Sequence, residues 1–126
     1  MEYIVNRNIE SLEEIINEVP MECNILVCRN KGLRSLRGID RLPQITILFV
    51  ENNQIESLRG IAGSNIINLS IENNQITSLE HIVGSNVIHL SIDNNPCYNE
   101  FVELENSIEK VKERYSFLDV KDPGFE

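Results

Sequence analysis

Apolar residues recur in a fixed pattern through the middle of the chain, between residues 45 and 97. Each copy has an aliphatic residue, a leucine three positions later, a second aliphatic residue two positions further on, and an asparagine three positions after that. The asparagines are Asn53, Asn74 and Asn95, so the copies are spaced 21 residues apart. A period of this length predicts a solenoid, in which each copy forms one coil and packs against its neighbours in sequence.

A weaker copy precedes these three. Residues 33–39 align with residues 55–61 at an offset of 22, and this alignment puts Leu26 and Cys28 at the strand positions. Lys31 then occupies the position that asparagine has in later copies, unless a local shift brings in Asn30. An asparagine there can bond main-chain groups buried between coils through its side-chain amide. Residues 23–97 are therefore interpreted as about four repeats.

The two ends of the chain have patterns of their own, as the exposed ends of a solenoid core require. In residues 1–22, the β-prone segment 3–5 predicts a short edge strand. A capping box of Ser11 and Glu14 then opens a short amphipathic helix that Pro20 closes. In residues 98–126, apolar residues at helical spacing predict a helix from about Asn99 to Arg114. Residues 118–120 repeat the strand pattern and predict a final strand.

The predicted fold class is α/β, a leucine-rich repeat solenoid that forms a single domain over residues 1–126. Its parallel β-sheet is expected on the concave side of the coils. The sequence Gly-Ser-Asn at 63–65 and again at 84–86 predicts short convex turns rather than helices. An N-terminal helix is expected to cap one end of the core, and a helix plus a strand is expected to cap the other.

The motif L-x-x-L-x-L-x-x-N-x-I-x-x-L, with an exit through Asn95 and Pro96, resembles the intracellular leucine-rich repeat proteins whose repeats have about 22 residues. That subfamily is typified by a regulatory subunit of protein phosphatase 1. It also includes acidic nuclear phosphoproteins, the spliceosomal A-prime protein and a dynein light chain. The resemblance implies a domain that is not an enzyme and that binds other proteins on its concave sheet, as an adaptor or regulatory subunit.

Side chains alternate along a strand, so the neighbours of the pattern residues face outwards. In the second repeat this rule puts Leu48 and Val50 inside and Ile47, Phe49 and Glu51 outside. Neighbouring strands lie about 4.8 Å apart, so the outward residues form columns. The candidate partner-binding residues are Ile25, Val27, Ile47, Phe49, Glu51, Ser70, Glu72, His89, Ser91 and Asp93.

Four of these outward residues are apolar, namely Ile25, Val27, Ile47 and Phe49. An exposed apolar patch flanked by charge is typical of a protein interface. The first hypothesis is therefore a protein partner with Ile47 and Phe49 as anchors. The alternatives are that the N-terminal segment 3–5 folds over these residues, or that a homodimer or structural subunit buries them.

The outward charges lie at one end of the strands. Glu51, Glu72 and Asp93 form a column with Arg29 at its head. This acidic column is either a solvated surface or a feature that selects a basic segment of a partner.

Composition narrows the classes of partner. The net charge of −9 argues against general nucleic-acid binding, because a phosphate backbone would repel most of the surface. The first repeat is the exception, since its only acid is Asp40, and RNA binding there is a third alternative that high salt would weaken. Its basic residues are Arg29, Lys31, Arg34, Arg37 and Arg41.

The sequence gives no sign of a signal peptide or a membrane span. The three cysteines are an odd number, and Cys28 and Cys97 occupy positions that are aliphatic in the other repeats. They are interpreted as buried apolar residues in a reducing compartment. We therefore expect an intracellular protein, cytoplasmic or nuclear.

His89, Ser91 and Asp93 are the residue types of a hydrolase triad, but their spacing argues against catalysis. Side chains two apart on one strand lie roughly 6.5–7 Å from each other, too far for the hydrogen-bond relay that a triad needs. A metal held by these residues and Glu72 is not favoured either, because an open sheet has no pocket in which ligands converge. The sequence predicts no catalytic residue, no metal and no cofactor.

Overall fold

The computed structural model describes the backbone of residues 1–120 and the side chains of residues 1–116. Five short strands lie side by side in one parallel sheet, in the order in which they occur in the chain. Each connection returns to the same sheet one position further along, so the chain forms a repetitive, solenoid-like α/β fold. The strands are β1 (Glu2–Ile4), β2 (Ile25–Val27), β3 (Ile47–Phe49), β4 (Asn68–Ser70) and β5 (His89–Ser91).

The register of the sheet confirms the predicted alignment of the copies. Leu26 lies opposite Leu48, Leu48 opposite Leu69, and Leu69 opposite Leu90. The first three of these leucines are completely buried, and Leu90 packs partly buried against the same core. The offset of 22 residues between the first two copies and of 21 residues thereafter follows from these pairs.

The main-chain turn after each strand is held by one asparagine side chain. In Asn74, Nδ2 donates to the carbonyl oxygens of Val50 (3.0 Å) and Ile71 (3.1 Å), while Oδ1 accepts from the main-chain nitrogen of Ile55 (3.0 Å). One side chain thus bonds its own coil and the preceding one. Equivalent bonds are made by Asn53 and Asn95.

The first coil has Lys31 at this position, and no shift brings in Asn30. Asn30 instead has the left-handed backbone conformation (φ 55°) that Asn52, Asn73 and Asn94 have in the later coils. Asparagine tolerates that conformation better than most residues, which explains the repeated Asn-Asn pairs. The first coil is still joined to the second, because the main-chain nitrogen of Lys31 donates to Oδ1 of Asn53 (2.9 Å).

The convex crossings contain the predicted turns, and each also has a single turn of 3₁₀ helix that the sequence pattern did not indicate. These helices are Ile39–Arg41, Ile61–Gly63 and Glu80–Ile82. The hydroxyl of Ser64 donates to the carbonyl oxygen of Ile61 (2.7 Å) and accepts from the main-chain nitrogen of Ile66 (3.3 Å). Nδ2 of Asn65 donates to the carbonyl oxygen of Pro43 in the preceding coil (2.9 Å). The Gly-Ser-Asn sequence therefore closes its own turn and links two coils.

The N-terminal cap contains the edge strand that the sequence predicts. β1 pairs with β2 in parallel, with Tyr3 opposite Leu26. The Tyr3 hydroxyl donates to Oε1 of Glu18 (2.9 Å), and the Arg7 guanidinium donates to both oxygens of the same carboxylate (2.9 and 2.7 Å). These hydrogen bonds, led by those from Arg7, hold the pKa of Glu18 below its usual value. They fasten β1 to the rest of the cap.

The predicted N-terminal helix is wrong in its length. A 3₁₀ helix over Leu12–Ile15 is followed by turns, although the Glu14 carboxylate does accept from the main-chain nitrogen of Glu10 (2.8 Å). The cap packs very close to the first coil at Gly38. A Cβ atom there would lie 2.7 Å from the main-chain nitrogen of Glu13, and φ is 102°, so only glycine suits this contact.

The C-terminal cap differs from the prediction in two ways. The single helix expected between residues 99 and 114 is two helices, α1 (Tyr98–Glu103) and α2 (Ile108–Val120). Glu105 and Asn106 have left-handed conformations (φ 61° and 54°) that end α1, and Ser107 caps α2 by accepting from the main-chain nitrogen of Lys110 (3.2 Å). The strand predicted at residues 118–120 is wrong, because α2 continues through them. Residues 121–126 of the predicted cap lie outside the described part of the chain.

We expect Asn74→Ala to lower the free energy of unfolding by about 2–4 kcal/mol, because it leaves several buried main-chain groups without partners. Urea denaturation of the purified chain measures this. Gln75→Ala is the matched control, since Gln75 is the adjacent residue, has an exposed side chain and should change stability by less than about 0.5 kcal/mol. Equal effects of the two substitutions would show that the asparagine bonds do not hold the coils together.

Candidate functional site

The outer face of the sheet, opposite the core leucines, is built from three columns of side chains. Two columns come from the strands, and the third follows the strand ends. In the third column the main-chain nitrogens of Asn30, Asn52 and Asn73 donate to carbonyl oxygens of the next coil (3.0–3.1 Å), which keeps the coils aligned. The columns are Glu2, Ile25, Ile47, Asn68 and His89; Ile4, Val27, Phe49, Ser70 and Ser91; and Arg29, Glu51, Glu72 and Asp93.

The four apolar residues predicted on this face lie next to one another, but Val27 is not accessible. Val27 is only 7% exposed, because it lies in register between Ile4 and Phe49. The prediction that Val27 contacts a partner directly is therefore wrong, since it forms the floor of the site. Ile25, Ile47 and Phe49 are each half-buried and present part of their surface to solvent.

The N-terminal segment does not fold over these residues. β1 lies beside β2 as a further strand, and its Ile4 is 57% exposed at the edge of the same surface. Sequence reasoning missed Ile4 because β1 lies outside the repeat and its register could not be read from the repeat spacing. We call Ile4, Ile25, Val27, Ile47 and Phe49 the apolar patch.

Arg29 crosses this surface in a way that the sequence does not reveal. Its guanidinium carbon lies 4.8 Å from the centroid of the Phe49 ring, and its Nε donates to Oε1 of Glu51 (3.0 Å). An exposed cation–π contact and a surface ion pair each contribute roughly 0.5–1 kcal/mol. Arg29 therefore covers part of the ring with a contact weak enough for a partner to displace.

The three carboxylates of the acidic column have unequal surroundings. Glu51 is bound by Arg29, and its side chain is only 17% exposed. Glu72 is half-buried and Asp93 is exposed. Among the residues that the structure describes, no basic side chain lies within 4.0 Å of either. The unpaired negative charge of the column is thus concentrated on the last two coils.

The remaining predicted site residues are polar and neutral or weakly charged. Ser70 is half-buried beside Phe49 in the register, while His89 and Ser91 are exposed on β5. Within the described part of the chain, no hydrogen bond joins the side chains of His89, Ser91 and Asp93. Over the same residues, no group of three or more His, Cys, Asp or Glu side chains is placed to hold a metal ion.

The basic first repeat is partly neutralised by its own neighbours. Arg29 is bound to Glu51, and Nε of Arg37 lies 3.1 Å from Oε2 of Glu13 in the N-terminal cap. A cavity of about 570 Å³ on the side of the coils is lined by Arg37 and Arg59, but also by Asp40. The charges that face this cavity are therefore mixed, and the first repeat does not present one continuous basic surface.

The three cysteines are free and buried. Burial raises the pKa of the Cys28 thiol to about 11 and that of Cys97 to about 11, so both are neutral at physiological pH. A reactive cysteine needs a thiolate and solvent access. Cys28 and Cys97 therefore have the surroundings of core residues, as their aliphatic counterparts in other coils do.

No protein-family model matches this chain, and a search of curated proteins finds no match. In the part of the chain that the structure describes, no helix is both long and apolar enough to cross a lipid bilayer.

The raised thiol pKa values predict a loss of stability at high pH. Both thiols titrate near pH 9 in the unfolded chain and near pH 11 in the folded one, so their contribution is complete below pH 9 and disappears as the pH rises through 11. Cys28→Val/Cys97→Val replaces them with an aliphatic residue. Urea denaturation at pH 8 and 10.5 should show a smaller loss of stability for this variant than for the unmodified chain. An equal loss in both would contradict the assignment.

Proposed function

We propose that this chain is an intracellular leucine-rich repeat protein that acts without catalysis, as an adaptor or regulatory subunit, and binds a protein partner on the outer face of its sheet. The apolar patch carries the proposal. It joins three half-buried residues (Ile25, Ile47 and Phe49) and the exposed Ile4 into one surface, bordered by the charges of the third column. Soluble proteins rarely leave such a patch uncovered unless it is used for binding.

The leucine-rich repeat part of the proposal rests on the recurring motif, the parallel register of its strands and the asparagine bonds between coils. In a solenoid of this kind, the sheet lines the concave side, so the outer face would be the inner surface of the arc. A concave surface surrounds more of a partner than a flat one of equal area.

The patch is built for recognition because its residues are held in place before a partner arrives. Ile47 and Phe49 are on β3, which is paired on both sides, so little main-chain entropy is lost on binding. Burying the exposed part of an aromatic or large aliphatic side chain contributes up to about 1.5–3 kcal/mol. Residues of this kind at the centre of an interface commonly supply much of its energy.

The absence of catalysis is proposed from the placement of the only group that resembles a catalytic set. His89 and Ser91 project from one strand in the same direction, and Asp93 follows two positions later. Nothing in their geometry would transfer a proton from a serine to a histidine, because parallel side chains at this spacing do not reach one another.

A homodimer is the second candidate, and one observation favours it. The apolar patch continues to the open edge of the sheet, where Ile4 is 57% exposed and Met1 is 71% exposed. The outer edge of β1 has main-chain groups without a neighbouring strand among the described residues, and such an edge can pair with a second chain.

The substitution Phe49→Asp tests the proposed partner site. We expect immobilised wild-type chain to capture at least one protein from its native cell extract, and Phe49→Asp to reduce that capture at least about tenfold, because a charge replaces the central anchor. Quantitative mass spectrometry measures the bound proteins, and urea denaturation checks that the variant is folded. Ala62→Asp, an exposed change in a convex crossing, is the matched control. An identical set of bound proteins on all three chains would contradict the site.

Light scattering of the purified chain over a range of concentrations distinguishes the homodimer. A dimer that forms with increasing concentration and is lost in both Phe49→Asp and Ile4→Asp would favour it. A monomer at all concentrations would leave the patch free for a different protein.

A further inference from the structure

We infer that the partner presents a segment that is apolar at one end and basic at the other, and that this segment lies across the strands. Its apolar side chains contact the apolar patch on β1–β3, and its lysine or arginine lies over Glu72 and Asp93 beside β4 and β5. The inference rests on the proposed function, because it specifies the partner of the same outer face.

The outer face changes its chemistry from one end of the sheet to the other. The two strand columns are apolar at Ile25, Val27, Ile47 and Phe49, and Ile4 extends them to the edge of the sheet. On β4 and β5 the same columns have only polar residues, which are Asn68, Ser70, His89 and Ser91. A segment with apolar side chains along its whole length would therefore leave half of them against polar groups.

The internal ion pair of the third column increases this asymmetry. Arg29 binds Glu51 at 3.0 Å and so neutralises the carboxylate that lies beside the apolar patch. Glu72 and Asp93 have no such partner within 4.0 Å among the described residues. They are on adjacent coils, roughly 4.8 Å apart along the sheet, so one cationic side chain can reach both. Complementary charge placed there favours a basic group over a neutral or acidic one.

The strand spacing sets the distance between the two ends of the segment. β3 and β5 are two strands apart, which is roughly 10 Å in a parallel sheet. An extended segment covers this distance in about three residues, at roughly 3.3 Å per residue. A helical segment covers it in about six or seven residues, at 1.5 Å per residue. The separation of the apolar and basic residues in a bound peptide therefore reports its conformation.

Arg29 should set the strength of charge recognition. It competes with any cationic group of the partner for Glu51, and it lies over the Phe49 ring that the apolar end would contact. Removing its charge frees a third carboxylate. Arg29→Gln should therefore strengthen the binding of a basic segment, although it removes a positive charge from only one site on the face.

A random peptide library displayed on phage, selected against the full chain, tests the inference. We expect the enriched sequences to combine an aromatic or aliphatic residue with Lys or Arg, at one of the two separations given above. Synthetic copies of these peptides, titrated by fluorescence anisotropy, give the dissociation constants. Glu72→Lys/Asp93→Lys should weaken binding at least about tenfold at low salt, and Arg29→Gln should strengthen it severalfold.

Two controls separate local recognition from a change in overall charge. Glu56→Lys/Glu80→Lys reverses two exposed carboxylates that lie away from the outer face, and it should change the dissociation constant less than about threefold. A peptide with its Lys or Arg replaced by Glu should bind Glu72→Lys/Asp93→Lys better than it binds the wild-type chain. This exchange of charges restores the complementary pair without restoring the original residues.

The outcomes separate the inference from the proposed function. If Phe49→Asp abolishes peptide binding but the reversal of Glu72 and Asp93 does not affect it, the outer face binds peptides and the inferred basic end is wrong. Enriched peptides without basic residues would also overturn the inference. If no enriched peptide depends on Phe49, or the selection enriches none, both the inference and the proposed site are contradicted.

Discussion

Each coil turns sharply after its strand, and the turn buries main-chain groups where water cannot reach them. The asparagine side chain meets this requirement, since Nδ2 of Asn74 donates to carbonyl oxygens in two coils and Oδ1 accepts from a third main-chain group. A lysine or aliphatic residue at the same position could not both donate and accept. The bonds of this one residue type fix each strand against the next, so the outer face has a defined register of side chains.

The core could be predicted from the sequence because it depends on spacing alone. Leu48 and Leu69 occupy equivalent positions in their copies, so their alignment in the sheet follows from the repeat. The outer positions of the same strands follow from alternation, and Phe49 is half-buried on that face as predicted. The sequence could not reveal that Val27 is covered, because its burial depends on Ile4, which comes from a strand outside the repeat.

Features set by side-chain choice or by chain reversal were not predictable in the same way. Arg29 could have extended into solvent, and its position over Phe49 depends on the carboxylate of Glu51 one coil away. The apolar spacing of residues 101–115 fits one long helix, yet the chain breaks at Glu105 and Asn106. Ser107, three residues before Lys110, was the available signal for a second helix start, because serine at that position caps main-chain nitrogens.

The identical bonding between successive coils has a consequence for how such a chain can change its length. A duplication of 21 residues adds one coil with its own asparagine and its own bonds to both neighbours, so the caps and the other coils keep their contacts. An insertion of one or two residues within a coil would instead move every later asparagine out of reach of its partners. The gene for such a protein can therefore gain or lose whole coils more easily than single residues. Each coil gained brings a new pair of outward side chains to the recognition surface.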